Sequence, residues 1–394
     1  MKKLAIIISH PIQYYAPVFQ MLAERKKVTA KIFYCWEGLL NGGFDSGFGQ
    51  TIRWDVSLLN GYDYEFVPNY AKDPGTDNFW GLNNPSLISR VEGWHPDAIL
   101  VFGWSHYSNL SVMRYFKGKI PIFFRGDSTL SDKSGLWLLP RLLFLKWVYK
   151  YIDLAFYVGK RNKEYFLKYG LKENQLVWAP HAVDNERFSG NQEELNGKAM
   201  KWRKELGIDK DAIVLLFVGK LARKKNPLLL LNTFRNLADN SYHLVFVGSG
   251  EMDVILKDAS QGLSNVHFLG FQNQGVMPVI YSMSDVFIFP SQGMPETWGL
   301  AVNEAMACGK PVIVSDKAGC SEDLVEKEGN GFVFNPDVES DLLNKIKLIT
   351  FDKNRIKEMG QRSKEIIKNW SVDVLCEKIE DACINSNFGI IYGR

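Results

Sequence analysis

The sequence predicts an α/β protein built as two doubly wound units in series, and three observations predict it. Short, continuously apolar runs alternate with helix-length segments almost throughout. Continuous rather than alternating apolar character marks strands covered on both faces, as in a parallel sheet. That rhythm lapses once, in the polar stretch NERFSGNQEELNGKAMKWRKELGIDKD over 185–211, and then restarts. The 394 residues also exceed one ordinary core and suit two domains of about 150–200 residues.

In the first half, 4–8, 28–34, 98–102, 120–124, 154–158 and 176–178 read as strands. Helical periodicity fills 18–26, 108–117 and 161–169 between them. The stretch from Glu37 to Asn84 breaks the pattern and is rich in Gly, Asn, Asp, Trp and Tyr. A structureless stretch of that length is usually functional. It reads either as acceptor-recognition loops or as a decorated surface insertion. In the second half, 213–218, 242–247, 266–269, 286–289, 311–314 and 332–334 read as strands, with helices after Asn226, Trp298 and Ser321. The tail 339–384 reads as helical. The expected division is 1–186, joined by about 372–394, and 187–371.

The 46% hydrophobic and 23% charged content is that of an ordinary globular protein. A net charge of +3 is weak for a nucleic-acid binder. The five cysteines, Cys35, Cys308, Cys320, Cys376 and Cys383, form no CxxC pair, which argues for a reducing compartment. The apolar run 4–8 is shorter than the roughly 7–15 residues of a secretory signal and reads as a buried first strand. No stretch reaches the roughly 18 apolar residues of a membrane span. The expectation is a soluble, cytoplasmic protein, at the inner face of the membrane if it binds lipid. The richest apolar stretch, 136–156, reads as a packed helix and strand. Its other reading places Trp137, Trp147 and Tyr149 on a membrane surface.

Ligands of open α/β sheets bind beyond the carboxyl ends of the strands. His10 and Gln13 follow the first strand, and no GxGxxG accompanies them. In Phe217-Val-Gly-Lys-Leu-Ala-Arg-Lys-Lys-Asn226 a buried strand stops at Gly219, and Lys220, Arg223, Lys224 and Lys225 follow at once. Cations there oppose a helix dipole unless an anion such as a diphosphate binds between them. The run Phe289-Pro-Ser-Gln-Gly-Met-Pro-Glu-Thr-Trp-Gly-Leu-Ala-Val-Asn-Glu304 is richer. Here a strand ends, a loop carries Glu296, and a helix begins near Trp298 and ends at Gly309. The amides of Trp298, Gly299 and Leu300 lack intrahelical partners and are available to a phosphate. Glu304 stands about one and a half turns in, within reach of a ribose diol.

These segments together resemble a family 4 retaining glycosyltransferase of GT-B architecture, in which two Rossmann-like domains face each other across a cleft. Gly219-Lys220 with Lys225, Gly248-Ser249-Gly250, Phe268-Leu-Gly-Phe271, Glu296 with Glu304, Gly319-Cys-Ser-Glu322 and Pro180-His-Ala-Val-Asp184 each resemble a family motif. The resemblance covers about 150–370 and implies that the C-terminal helix returns to the first domain. It implies that Lys220 and Lys225 hold the donor diphosphate, that Glu304 binds ribose, that Glu296 contacts the donor sugar and that the backbone near Phe271 meets the base. It implies a nucleotide-sugar co-substrate without cofactor or metal, and Asp209-Lys-Asp211 is discounted as a metal site. Where many members carry a Gly-Gly turn and a cleft histidine, this chain has His10-Pro11 and Phe124-Arg-Gly-Asp-Ser128. Arg125, Asp127 and His10 are therefore the catalytic candidates of the first domain, with His106 as a further source of imidazole. The acceptor is expected to be a saccharide or lipid-linked saccharide in bacterial surface polysaccharide assembly. Trp36, Trp54, Trp80 and Trp104 either stack on sugar rings or pack in the core. The rival functions are a nucleotide-sugar epimerase or hydrolase of the same architecture, and a non-catalytic nucleotide-sugar-binding partner.

Overall fold

The computed structural model describes residues 1–38, 40, 42–130, 138–292 and 296–385. Two compact units make up the chain. The first comprises Met1–Gly43, Ser57–His181 and the segment from Val372, and the second comprises Phe44–Val56 and Ala182–Ser371. The division expected from the sequence, at 186/187, differs in two ways. The boundary lies between His181 and Ala182, and Phe44–Val56 go with the second unit.

In chain order the first half contains β1 (Lys3–Ile8), β2 (Thr29–Tyr34), β3 (Gly43–Asp45), β4 (Gln50–Ile52), β5 (Asp63–Phe66), β6 (Ala98–Phe102), β7 (Ile122–Arg125), β8 (Leu154–Tyr157) and β9 (Leu176–Trp178). Seven of them form a parallel sheet in the order β5-β2-β1-β6-β7-β8-β9. Residues 4–8, from the interior strand β1, are at most 1% exposed, as a strand covered on both faces requires. Among the described residues β3 and β4 pair only with each other; a connection this short admits only an antiparallel pair.

The expectation of a structureless stretch over 37–84 does not hold. β5 is an edge strand whose residues DYEF are half exposed, so it carries no apolar run for a reader to find. Polar side chains then shape the rest of this stretch. The Asn84 amide donates to the carbonyls of Cys35, Val67 and Pro68 at 2.9, 2.8 and 3.1 Å. Asn69 accepts from the amides of Ala71 and Asn83. Asparagine is frequent here because it supplies the hydrogen bonds that secondary structure would otherwise provide.

The helix Val372–Asn385 packs on the helix Ala16–Arg25. Arg25 reaches Glu380 at 2.9 Å and Asp373 at 2.5 Å, and Glu380 is 1% exposed. The helix Leu138–Tyr149 buries Leu145, Val148 and Tyr149 and exposes Leu139, Leu143 and Phe144. Tyr149 is thus a core residue and not a membrane contact, while Trp137 lies outside the described residues. Among the described residues no helix is long and apolar enough to cross a membrane.

The second unit holds β10 (Ile213–Val218), β11 (Tyr242–Val247), β12 (Val266–Phe268), β13 (Val286–Phe289), β14 (Val312–Ser315) and β15 (Gly331–Phe334). They form a parallel sheet ordered β12-β11-β10-β13-β14-β15. Counted along the unit this is 3-2-1-4-5-6, the order of a dinucleotide-binding sheet. The strand order reverses between β10 and β13, so a ligand crevice belongs beyond their carboxyl ends.

Candidate active site

The loops after β10 and β13 meet at that switch point. β10 runs into Gly219-Lys220, then a single 3₁₀ turn, Arg223–Lys225. β13 runs into Pro290 and Ser291. The Ser291 hydroxyl and the Gln292 amide both donate to the Lys224 carbonyl, at 3.0 and 3.1 Å. This stitching brings Lys225 and Glu296 into an ion pair, with both side chains mostly buried. The Ser291 hydroxyl oxygen lies 3.4 Å from the same Glu296 carboxylate oxygen. The Lys225 ammonium also lies 4.7 Å from the centroid of the Phe289 ring, a cation–π contact. A cation, a carboxylate and a hydroxyl therefore share the mouth of the sheet.

The loop after β11 closes the other side. Gly250, at φ 156°, passes so near the β10 loop that a Cβ would lie 2.7 Å from the Leu221 carbonyl oxygen. No side chain fits there. Leu221 donates its amide to Ser249 and accepts from that of Met252, both at 2.9 Å. Phe271 follows β12 on the same edge. Residues 44–56 lie across these loops. Asp45 pairs with Lys220 at 2.8 Å, Phe48 meets Phe271 edge-on at 5.0 Å and Trp54 meets it at 6.1 Å. Sequence reasoning missed Asp45 and Phe48, since nothing in a loop 175 residues from Lys220 signals its partner.

The helix carrying Glu304 spans Leu300–Ala307, not 298–309. Gly299 caps it in the left-handed region at φ 114°, and a Cβ there would lie 2.8 Å from the Phe289 ring. This cap delays the first helical residue to Leu300. Trp298 sits in the loop, its indole donating to Asn303 at 2.9 Å and its rings packed on Trp370. Glu304 lies about one turn in. It is 2% exposed, and its carboxylate accepts from the Tyr281 hydroxyl at 2.7 Å.

In the first unit the candidates fall at the ends of β1, β6, β7 and β9. His10 follows β1 and contacts Trp36 edge-on at 5.6 Å. Burial, and to a lesser extent the neighbouring His106, push its pKa down to about 4. His106 lies after β6, 8% exposed, with Nδ1 3.3 Å from the Asn78 carbonyl. Arg125, the last residue of β7, is 1% exposed. It donates to the carbonyls of Ala179 and Pro180 at 3.0 and 2.8 Å. It braces the segment after β9 and does not point a cation at solvent. Asp127 is half exposed and stands 4.0 Å from His181. His181 was not singled out in the sequence, although the motif Pro180-His-Ala-Val-Asp184 contains it. It stacks on Tyr15 at 6.3 Å. Burial and the Arg125 cation hold its pKa at about 4, against the opposing pull of Asp127.

The two doubly wound parallel sheets are those of the GT-B fold. Residues 199–366 match the family model of the glycosyl transferases group 1. The chain is 32% identical over 217 residues to the Escherichia coli UDP-Gal:alpha-D-GlcNAc-diphosphoundecaprenol alpha-1,3-galactosyltransferase, covering 52% of this chain and 53% of that one. It is 24% identical over 313 residues to the Arabidopsis thaliana sulfoquinovosyl transferase SQD2, covering 76% and 58%. The chain thus spans little more than half the length of these relatives. The crystal structure of Anabaena Alr3699/HepE in complex with UDP and glucose superposes with a TM-score of 0.72 at 19% identity, covering 97% of this chain and 99% of that one. At that identity the likeness is one of fold.

Proposed function

We propose that this protein is a retaining glycosyltransferase. It moves a sugar from a nucleoside-diphosphate sugar to a hydroxyl of a saccharide or lipid-linked saccharide acceptor, as in bacterial surface glycan assembly. The observation that carries the reading is the Lys225–Glu296–Ser291 cluster at the switch point of a 3-2-1-4-5-6 sheet. A carboxylate among cations there suits a donor with a negative diphosphate and a sugar rich in hydroxyls. Lys220 and Lys225 stabilise the departing diphosphate as its charge develops. Glu296 accepts hydrogen bonds from the sugar, and Glu304, oriented by Tyr281, accepts them from the ribose. The bond from the anomeric carbon to the diphosphate oxygen breaks. A bond to the acceptor oxygen forms on the same face, and the acceptor proton passes to the departing phosphate oxygen. Asp127, His10 and His181 belong to acceptor positioning, and Arg125 holds the backbone beside them. No metal is required, because lysines meet the diphosphate charge.

The test is turnover of UDP-, GDP- and ADP-sugars with and without a panel of glycan and lipid-linked acceptors, the product anomer being read by NMR. Transfer with retained configuration, unaffected by EDTA, is expected. Lys225→Ala should lower kcat/KM by about ten- to a thousandfold, the range for losing one charged transition-state contact. Donor hydrolysis alone, an inverted product or strict dependence on a divalent ion would overturn the reading.

A further inference from the structure

The second unit contains thirteen residues, Phe44–Val56, that arrive from a distant part of the sequence and lie on the carboxyl edge of its sheet. Their contacts fall on the loops after three adjacent strands. After β10, Asp45 holds Lys220 at 2.8 Å, and the Lys220 ammonium rests 4.7 Å from the Phe48 ring centroid. After β11, the Ser249 hydroxyl donates to the Phe48 carbonyl at 2.8 Å, and the Gln50 amide donates to Ser249 at 3.2 Å. After β12, Phe48 and Trp54 meet the Phe271 ring, Asn273 donates to the Arg53 carbonyl at 2.6 Å, and the Gly275 amide donates to Asp55. A side chain on Gly47 would collide with the Lys220 stem, so the segment lies flush against the lysine.

This arm imitates a ligand. Its carboxylate is an anion on the lysine assigned to the diphosphate, and its rings cover Phe271, beside whose backbone the base is expected. Two rings in edge contact at 5.0 Å leave no slot for a third ring between them. The Asp45 carboxyl is also held below the usual carboxylate range. Burial alone would raise it, but the hydrogen bonds from Lys220 and the Phe48 amide outweigh burial. The competing anion therefore stays charged at neutral pH.

We propose that residues 44–56 are a displaceable gate on the nucleotide site, with Asp45 competing against the nucleoside diphosphate for Lys220. The inference rests on the donor-site reading above. Binding a nucleoside diphosphate exchanges one anion for another on Lys220 and lifts Phe48 from Phe271.

Asp45→Asn tests it with little risk to the fold. The amide oxygen can still accept the Gly47 and Phe48 amides that now bond to Oδ1 at 2.8 and 3.0 Å, and only the charge is lost. Calorimetric titration with inorganic pyrophosphate and with UDP, GDP and ADP should show D45N binding about two- to fivefold tighter than wild type, the worth of one partly exposed ion pair. Hydrogen exchange of amides 46–49 should rise in ligand-free D45N, and in wild type when the nucleotide binds. Unchanged or weaker binding by D45N, or continued protection of 46–49 in the nucleotide complex, would refute the gate and leave the donor site standing. If neither protein binds any of the four probes, the donor-site reading falls and the gate falls with it. Exchange in ligand-free D45N then shows whether Asp45 still latches the arm.

Discussion

Glu304 shows what a single buried carboxylate can be asked to do. It is 2% exposed and bonded to the Tyr281 hydroxyl, so its position is fixed before any ligand arrives. A group that only binds ribose contributes equally to the ground and transition states. Glu304→Gln should therefore raise the donor KM more than it lowers kcat; initial-rate kinetics decide, and an unchanged KM removes Glu304 from the site. At this scale Lys220, Lys225, Glu296 and Glu304 were legible as charges in the segments that follow two apolar runs, 213–218 and 286–289. Their partners were not. Asp45, Tyr281 and His181 are brought in from other segments of the chain, and tertiary pairing leaves no local pattern. Arg125 marks the opposite limit. A charge at a strand end reads alike whether it faces a ligand or, as here, gives its donors to two backbone carbonyls.

Among the elements, the strands of both sheets were legible nearly residue for residue, since burial on both faces writes itself as unbroken apolar sequence. β5 and the pair β3–β4 escaped because edge and ribbon strands bury little. The start of the helix Leu300–Ala307 was misplaced by two residues because the conformation of Gly299, not helix propensity, sets it. The helix Leu138–Tyr149 carries a further expectation. Leu139, Leu143 and Phe144 are 63%, 60% and 44% exposed, and Arg141 and Lys146 are on the same helix. Exposed apolar residues among cations suit an anionic lipid surface. The protein should cosediment with phosphatidylglycerol vesicles in a salt-sensitive manner. A Leu139→Ser, Leu143→Ser, Phe144→Ser triple variant should lose at least about tenfold in affinity, given the apolar area removed. Equal binding by wild type and variant would make this face an ordinary solvated one.

For the molecule as a whole, buried histidines set a pH expectation. The pKa values of His10 and His181 are both about 4 when folded, against 6.5 in an unfolded chain. Between these values the unfolded chain takes up protons that the folded one refuses. Their contribution to stability is therefore complete above about pH 6.5 and drains away as the pH falls toward 4. The melting temperature should drop across that window, and His181→Gln should flatten the drop; an unaltered slope would show that His181 is not the group responsible. The division into two units was legible in outline, but their crossed membership was not, because composition does not record which distant segment completes a core. That crossing has a consequence for how the protein is made. Residues 44–56 leave the ribosome long before β10–β12, the strands whose loops they lie on, and Arg25 waits 348 and 355 residues for Asp373 and Glu380. The first unit cannot finish folding until the helix Val372–Asn385 has been made, nor the second until β10–β15 have. A chain truncated before residue 372 should therefore leave the helix Ala16–Arg25 uncovered and prone to aggregate, although the damage lies at the opposite end of the sequence.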